Sequence, residues 1–378
     1  MTKKITIIIN DDVNELIRKG EIKNNYYNPK KFFDHIQVIL LNNKSIDKKK
    51  TFNQLFDCEK LDIIFYKKTI FKIFINFFLF YFFGFETNRD LVNKVKKFNP
   101  KILRNYTINF SIFFVYYLHC KTNIKFITSL HCNISSLTKN NKLINRVYWI
   151  LILPFLKKIL SKASFLILKH KGLEKFIKTI NKSFETIYTI NNKKIIRKKK
   201  FNIKKKLKIY NVGRQEKWKN PIILCDKIFK NFNITLIGNG ILHNLIKNKI
   251  RNKKLKNIRL IKSIDNRILC KQLKNFDIFI HFSEYQEFPN TVMEAMLAGL
   301  PVIICKKKST IVEEYNNKNF ILSNDNETSL FNSINNIVSS KKKYNQISLS
   351  NYKYAQKNFS PFLMEKKEID IYKKIFNS

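Results

Sequence analysis

Glycine and proline are scarce in this chain, seven of each in 378 residues. Carboxylates are scarce too: 27 Asp and Glu stand against 73 Lys and Arg, a formal net charge of +46. Cys58, Cys120, Cys132, Cys225, Cys270 and Cys305 are scattered, with no Cys-x-x-Cys pair. Metal and disulfide frameworks need closer or patterned spacing, so no metal site is expected, and buried thiols in a reducing cytosol fit better. Apolar runs of spanning length are missing as well, since a membrane-crossing helix needs about 20 apolar residues. Thr69–Phe85 is shorter and holds Lys72 and Asn76, and Arg146–Leu160 is short and broken by Pro154. Both are expected as buried helices, with a basic-edged aromatic helix lying on a membrane surface as the functional alternative. Met1-Thr2-Lys3-Lys4 leads straight into an apolar strand, so no signal peptide is expected and a cytoplasmic location follows.

What is present in quantity is Lys, Asn, Ile and Phe. Lys, Asn, Ile and Phe have AT-rich codons and Gly and Pro GC-rich ones, so most of the charge reads as base-composition bias spread over solvated surface. No zinc spacing, RNP-like motif or helix-turn-helix signature accompanies it, so charge is all that favours a nucleic-acid partner, and none is expected. The basic excess still favours anionic ligands and anionic membrane faces, which allows peripheral attachment at the inner face of the cytoplasmic membrane.

Hydrophobic residues make up 44% of the chain, enough for real cores, and single domains usually run about 100–200 residues, so two domains are expected. Short apolar runs at Ile5–Ile9, Ile36–Leu41, Leu61–Phe65, Lys101–Leu103, Phe126–Ser129 and Phe165–Leu168 alternate with helical stretches, the pattern of a parallel α/β sheet. The charge run Asn191–Lys206 has no apolar period and reads as a linker. Beyond it the alternation restarts, with strands at Lys208–Val212, Asn233–Ile237, Ile258–Ile261, Ile278–Phe282 and Pro301–Cys305. Helices are expected between them at Pro221–Lys230, Ile241–Arg251, Arg267–Lys274 and Pro289–Ala298, then at Leu330–Ser339. The expected organisation is domain 1–190, linker 191–206, domain 207–350, and an amphipathic helical tail 351–378 that can return to the first domain.

The densest signal is Ser283–Ile303, S-E-Y-Q-E-F-P-N-T-V-M-E-A-M-L-A-G-L-P-V-I. A strand ends in a loop where ligands bind in open α/β sheets. Pro289 suits a first helical turn, and the amides of Phe288, Asn290 and Thr291 then form, with the helix dipole, an anion site suited to phosphate. Gly299 suits the helix end. Glu294, one turn in, can accept from two neighbouring hydroxyls, as on a ribose; on its own it is as readily a helix-face carboxylate. Upstream, Val212-Gly213-Arg214 closes a strand and Lys219 follows five residues after Arg214, a plausible diphosphate clamp at a strand's carboxyl end. Gly238 and Gly240 put two of only seven glycines in one loop, where backbone can approach a ligand closely.

This order of motifs, from Val-Gly-Arg with Lys five on, through Ile-Gly-Asn-Gly and Asp277-Ile-Phe-Ile, to Phe-Pro-Asn-x-x-x-Glu-Ala-Met-x-Ala-Gly-Leu-Pro-Val-Ile, resembles the family 4 (group 1) retaining glycosyltransferases over roughly Lys208–Asn324. The resemblance implies the GT-B fold, two Rossmann-like α/β/α domains facing a cleft. It implies a nucleotide-diphosphate-sugar donor in the second domain, with Arg214 and Lys219 on the diphosphate, amides of Phe288, Asn290 and Thr291 on phosphate, Glu294 on the ribose, and Gly238, Gly240, Ser263 and Ile264 in the loops near the base. In the first domain, Lys19-Gly20-Glu21 resembles an acceptor loop and Ser129-Leu130-His131 a His-bearing strand end facing the sugar; His131 is as readily a strand cap.

Neither a cofactor nor a bound metal is implied, because cations and helix dipoles can stabilise the leaving diphosphate. The acceptor would be a glycan or a lipid-linked glycan, in polysaccharide or lipopolysaccharide assembly. One departure matters: the family's first Glu, eight positions before Glu294, is here Gln286, with Glu287 beside it and Glu284 nearby. Gln286 and Glu287 are the candidates for that place. The departure motivates an alternative, a catalytically impaired relative that binds glycans or a partner transferase; a sugar-nucleotide epimerase on the same fold is a lesser one.

Overall fold

The computed structural model describes residues 2–20, 22, 24–66, 88–108, 111–131, 143–189, 195–198, 201, 206–283, 288–306 and 312–377. Contacts divide the chain into two compact units. The first comprises Met1–Tyr188 and Met364–Ser378, and the second Thr189–Leu363.

The first unit is built on a seven-stranded parallel sheet in the order β3-β2-β1-β4-β5-β6-β7. Its strands are β1 (Lys4–Ile9), β2 (His35–Leu40), β3 (Lys60–Phe65), β4 (Ile102–Asn105), β5 (Lys125–Leu130), β6 (Phe165–Leu168) and β7 (Phe184–Thr186). The central strands are buried along nearly their whole length, as β-branched runs covered by helices on both faces should be. β7 escaped the sequence reading: it has three residues, two of them polar, and lies at the sheet edge.

Helix Val13–Lys19 follows β1, capped by the Asp12 carboxylate on the Glu15 amide and ended by Gly20 at φ 65°. Helix Leu143–Lys162 contains Pro154, and Ile152, Leu156, Ile159 and Leu160 pack into the unit's core, so this half of the second aromatic segment serves as core. The first aromatic segment, 69–85, lies outside the described residues. Among the described residues, no helix is long and apolar enough to cross a membrane.

The second unit has a six-stranded parallel sheet in the order β10-β9-β8-β11-β12-β13. Its strands are β8 (Lys208–Val212), β9 (Asn233–Ile237), β10 (Ile258–Ile261), β11 (Ile278–Ser283), β12 (Val302–Lys306) and β13 (Ile321–Asn324). One expected helix is absent. Pro221–Lys230 forms two 3-10 turns, Pro221–Cys225 and Lys227–Phe229, because Asp226 between them is extended (φ −99°, ψ 150°) and caps the Ile228 amide with its own side chain. The expected single tail helix is two, Lys341–Phe359 and Pro361–Asn377, broken at Ser360 before Pro361.

Part of the basic run is tied down on the second unit. The Lys198 amide donates to the Ala298 carbonyl at 2.8 Å, its ammonium meets Asp277 at 2.5 Å, and Phe201 stacks on Tyr344 with centroids 3.7 Å apart. Charge without apolar period read as a solvated linker, yet the carboxylate and the aromatic ring that capture it lie 79 and 143 residues further along the chain.

Candidate functional site

In the second unit the chain runs from β8 outward through β9 to β10, then returns to β11 on the other flank of β8 and continues to β12 and β13. A crevice opens outside the carboxyl ends of two strands where order reverses in this way. Here those strands are β8 and β11. Their pairing covers Ile209–Tyr210 against Ile278–Phe279, and beyond it the Asn211 side-chain amide donates to the Ile280 carbonyl at 2.9 Å. The strands thus part toward the loops that carry the predicted site.

On the β8 side, the loop after Val212 is laced to the loop after β9. Gly213 donates to Ile237 O at 3.0 Å, Gln215 to Asn239 O at 2.9 Å, and Leu242 to Gln215 O at 2.9 Å. The crossing leaves no room for side chains. A Cβ on Gly238 (φ 149°) would lie 1.8 Å from Gly213 O, and one on Gly240 (φ 153°) 2.6 Å from Gln215 O. At both glycines the neighbouring backbone fills the space that a side chain would need. Gly238 also donates to Ile261 O at 2.9 Å, which ties in the loop after β10, where Ser263 is exposed and Ile264 half-buried.

This lacing sets the two cations. The Lys219 stem lies along Gly213, where an added Cβ would touch its Cδ at 3.8 Å, and its ammonium is 4.6 Å from the Trp218 ring centroid. Lys219 is 9% exposed, and burial, with Arg214 adding like charge, pushes its pKa down to about 7. Arg214 itself is exposed. The two cations are therefore coupled at one strand end. His281, buried on β11, feels Lys219 as well: burial first and the ammonium second hold it well below its ordinary pKa, so it is neutral. The sequence reading passed over His281 as one more residue of a buried strand.

On the β11 side, helix Asn290–Leu297 starts one residue later than expected, with Pro289 as an extended cap outside the first turn. Val292 donates to Pro289 O at 3.1 Å, which leaves the amides of Asn290 and Thr291 without an acceptor in the helix. Phe288 anchors this start through its ring, packed on Tyr315, Phe320 and Phe359 at 5.4, 5.9 and 5.2 Å. The helix ends at Gly299 with φ 76°, as the sequence required, and Ser348 and Asn351 donate to the carbonyls of Gly299 and Leu300.

Glu294 is 1% exposed, and both its oxygens accept from Asn266 Nδ2, at 3.1 and 3.4 Å. Asn266 opens helix Asn266–Gln272 behind the Asp265 cap. It orients the carboxylate, and in a chain so rich in asparagine nothing marked it beforehand except the cap before it. Gln286 and Glu287 lie outside the described residues, as does Glu284.

In the first unit, Gly20 is the left-handed cap of helix Val13–Lys19, donating to the Ile17 and Leu16 carbonyls. His131 follows β5. Its Nε2 lies 2.7 Å from Tyr106 O; a carbonyl accepts, so Nε2 carries the proton and Nδ1 the lone pair. The residue is exposed overall, but its ring reaches inward; burial of that end, with Lys169 adding to it, pushes the pKa down to about 3.

Known proteins bear out the fold and the group 1 resemblance. Residues 192–354 match the family described as glycosyl transferases group 1. Among solved structures, a glycosyltransferase from Rickettsia africae superposes with a TM-score of 0.70 at 17% identity, covering 99% of both chains. Anabaena HepE in complex with UDP and glucose gives 0.68 at 15% identity, covering 98% of this chain and 100% of that one. A Staphylococcus aureus TarM variant in complex with fondaparinux, α-GlcNAc-glycerol and UDP gives 0.66 at 12% identity, with full coverage of both. No curated protein matches the sequence. Residues 192–354 thus carry the match to the glycosyl transferases group 1 family, in a framework of two parallel sheets of the GT-B type.

Proposed function

We propose that the protein is a retaining glycosyltransferase that moves a sugar from a nucleotide-diphosphate-sugar to a glycan or lipid-linked acceptor, in the assembly of cell-surface polysaccharide or lipopolysaccharide. The observation that carries this reading is the set of groups around the β8–β11 switch point: the coupled cations Lys219 and Arg214 on one side, and on the other an open helix start with the buried, oriented Glu294. Diphosphate is the leaving group, and negative charge grows on it as the glycosidic bond breaks. Lys219 and Arg214 neutralise that charge, with the amides of Asn290 and Thr291 adding fixed partial charge. Glu294 accepts from the ribose hydroxyls. Two of the structural neighbours were solved with UDP, which makes uridine nucleotides the first donors to try.

A panel of nucleoside diphosphates and nucleotide sugars should raise the melting temperature, since a ligand of the native state stabilises by mass action. Arg214→Ala with Lys219→Ala should remove the shift for every nucleotide. Charge-assisted hydrogen bonds contribute about 1.5–3 kcal/mol each, so the double variant should bind at least 100-fold more weakly. Undiminished nucleotide binding in that variant sinks the reading.

A further inference from the structure

Trp218 stands beside the two cations of the second unit, and the donor reading leaves it without a task. It is one of two tryptophans in the chain, the other being Trp149. It lies in the 3-10 turn Lys217–Lys219, which is fixed at both ends. The Lys219 amide donates to Glu216 O at 2.9 Å. Asn220, left-handed at φ 32°, donates its side-chain amide to Asp325 Oδ2 at 3.2 Å.

Consecutive side chains in a 3-10 turn diverge by about a third of a turn, so neighbours do not meet by default. Here the Lys219 stem lies along Gly213, which has no side chain to push it aside. Its ammonium thereby comes over the half-buried Trp218 ring, 4.6 Å from the centroid. An aromatic face is negative at its centre and draws a cation within about 6 Å, most strongly when both are out of water.

The surroundings act against charge at this place. Burial is the largest cause and the Arg214 guanidinium, on the same loop, the second. His281, on the neighbouring strand β11, is held neutral, in part by this ammonium, and so brings no negative charge to it. The Trp218 face works the other way and favours the charged form.

The choice of a ring over a carboxylate has a consequence for binding. A carboxylate would hold the ammonium by full charge and repel an arriving diphosphate. A ring holds it through its quadrupole alone, and phosphate oxygens, which offer charge-assisted hydrogen bonds, outbid the ring.

We propose that Trp218 is a positioning residue of the candidate donor site: its face holds the Lys219 ammonium ready before a donor arrives and yields it to the diphosphate. The pairing of ring and ammonium stands on the geometry; its service to a diphosphate rests on the transferase reading.

The test uses the full chain with Trp149→Phe, which leaves Trp218 as the only tryptophan. Growth on 5-fluorotryptophan or 5,6-difluorotryptophan then draws electrons from one ring face with almost no change of shape. Trp218 fluorescence titrated against pH, without ligand, should show a transition centred near 7, which Lys219→Met should remove. Fluorine should lower the midpoint, by about half a pH unit for the difluoro ring, because the charged form loses support. A merely structural role leaves the midpoint in place.

Binding is read by calorimetry with inorganic pyrophosphate, which carries no base or sugar. The difluoro ring should weaken it about threefold near pH 8, where fewer chains carry the charged ammonium, and leave it unchanged at about pH 5.5. Trp218→Glu should flatten the pH dependence, since a carboxylate keeps the ammonium charged, yet weaken pyrophosphate about tenfold or more at low pH by repulsion. Trp218→Phe should lie closer to the parent, as a weaker face predicts.

A transition that survives Lys219→Met, or a midpoint indifferent to fluorine, overturns the pairing. A Trp218→Glu chain that binds pyrophosphate as tightly as the parent overturns the role of the ring. A fluorine-sensitive midpoint in a chain that binds neither pyrophosphate nor any nucleotide overturns the donor reading, and the service to a diphosphate with it, while the pairing stands.

Discussion

The two units carry the same crevice in different materials. In the second, the switch point is dressed from one continuous stretch, 213–294: two glycines that let one loop cross another, a lysine laid along a third glycine, and a helix that brings in Glu294. In the first, it is dressed by residues from the whole length of the chain. Arg104 of β4 is held by Tyr372 and Glu368, 268 and 264 residues further on, from a helix that joins the first unit only after the chain has completed the second. One crevice is written as a motif and the other is assembled by packing. That difference decides which parts of each can be altered, and how each fails.

The comparison breaks most visibly at Arg104. Arg104→Met leaves the Glu368 carboxylate with the Tyr372 hydroxyl but without the guanidinium that balances its charge, and removing one member of a buried pair costs about 3–5 kcal/mol. Urea unfolding followed by signals assigned to each unit should show the first unit destabilised and the second unchanged. Equal loss in both would mean that the two crevices are not independently built. Tyr372→Phe should cost less, about 1–3 kcal/mol, with the same unit affected.

In the second unit the matching lesion is Gly238→Ala. Its Cβ would overlap Gly213 O at 1.8 Å in a conformation that side chains rarely adopt, so backbone must move. We expect a loss of about 3 kcal/mol or more in that unit, read by the same unfolding experiment. A variant as stable as the parent would show that the loop crossing is loose.

Glu294→Gln keeps shape and removes charge. Donor affinity should fall about 10- to 100-fold, in line with about 1.5–3 kcal/mol for hydrogen bonds to a charged group, with the melting temperature nearly unchanged. A fall in stability without a fall in affinity would make the carboxylate a packing group held by Asn266.

The smallest effect is pH dependence. Lys219 has a folded pKa near 7, below its ordinary 10.5, so the unfolded chain binds more protons between those values. Its contribution to stability therefore rises as pH rises from about 7 toward 10. Donor affinity runs the other way, because the diphosphate needs the charged ammonium, and should fall up to tenfold from pH 6.5 to 8. Lys219→Met should flatten both profiles. Parallel slopes for stability and affinity would exclude Lys219 as their source.

Much of this was legible beforehand, and unevenly. The strands of both sheets follow from short β-branched runs between polar turns, and β6 and β8 came out residue for residue. Edge strands β7 and β13 were missed, because three- or four-residue strands carry too little pattern. The expected helix at Pro221–Lys230 had the apolar period, but Asp226 bonding its own backbone outcompeted it. At the candidate donor site, Arg214, Lys219, Gly238, Gly240 and Glu294 were named from their place at strand and helix ends and from the family resemblance; Asn266 and His281 were not, since an asparagine and a strand histidine gain meaning only from what faces them. At the first unit's crevice His131 and Gly20 were named, while Arg104 was not: in a chain with 73 Lys and Arg, one more basic residue carries no signal until burial singles it out.

What the linear chain settled alone is local. Glycine tolerates the backbone at 238, 240 and 299, apolar runs become strands, and a proline just before a helix leaves its first amides open, because these outcomes depend on a residue and its near neighbours. What folding alone settled is which charges are costly. Lys219 and Arg104 differ from dozens of solvated cations only in the water they have lost, and water is lost through contacts with residues that the chain brings in from far away.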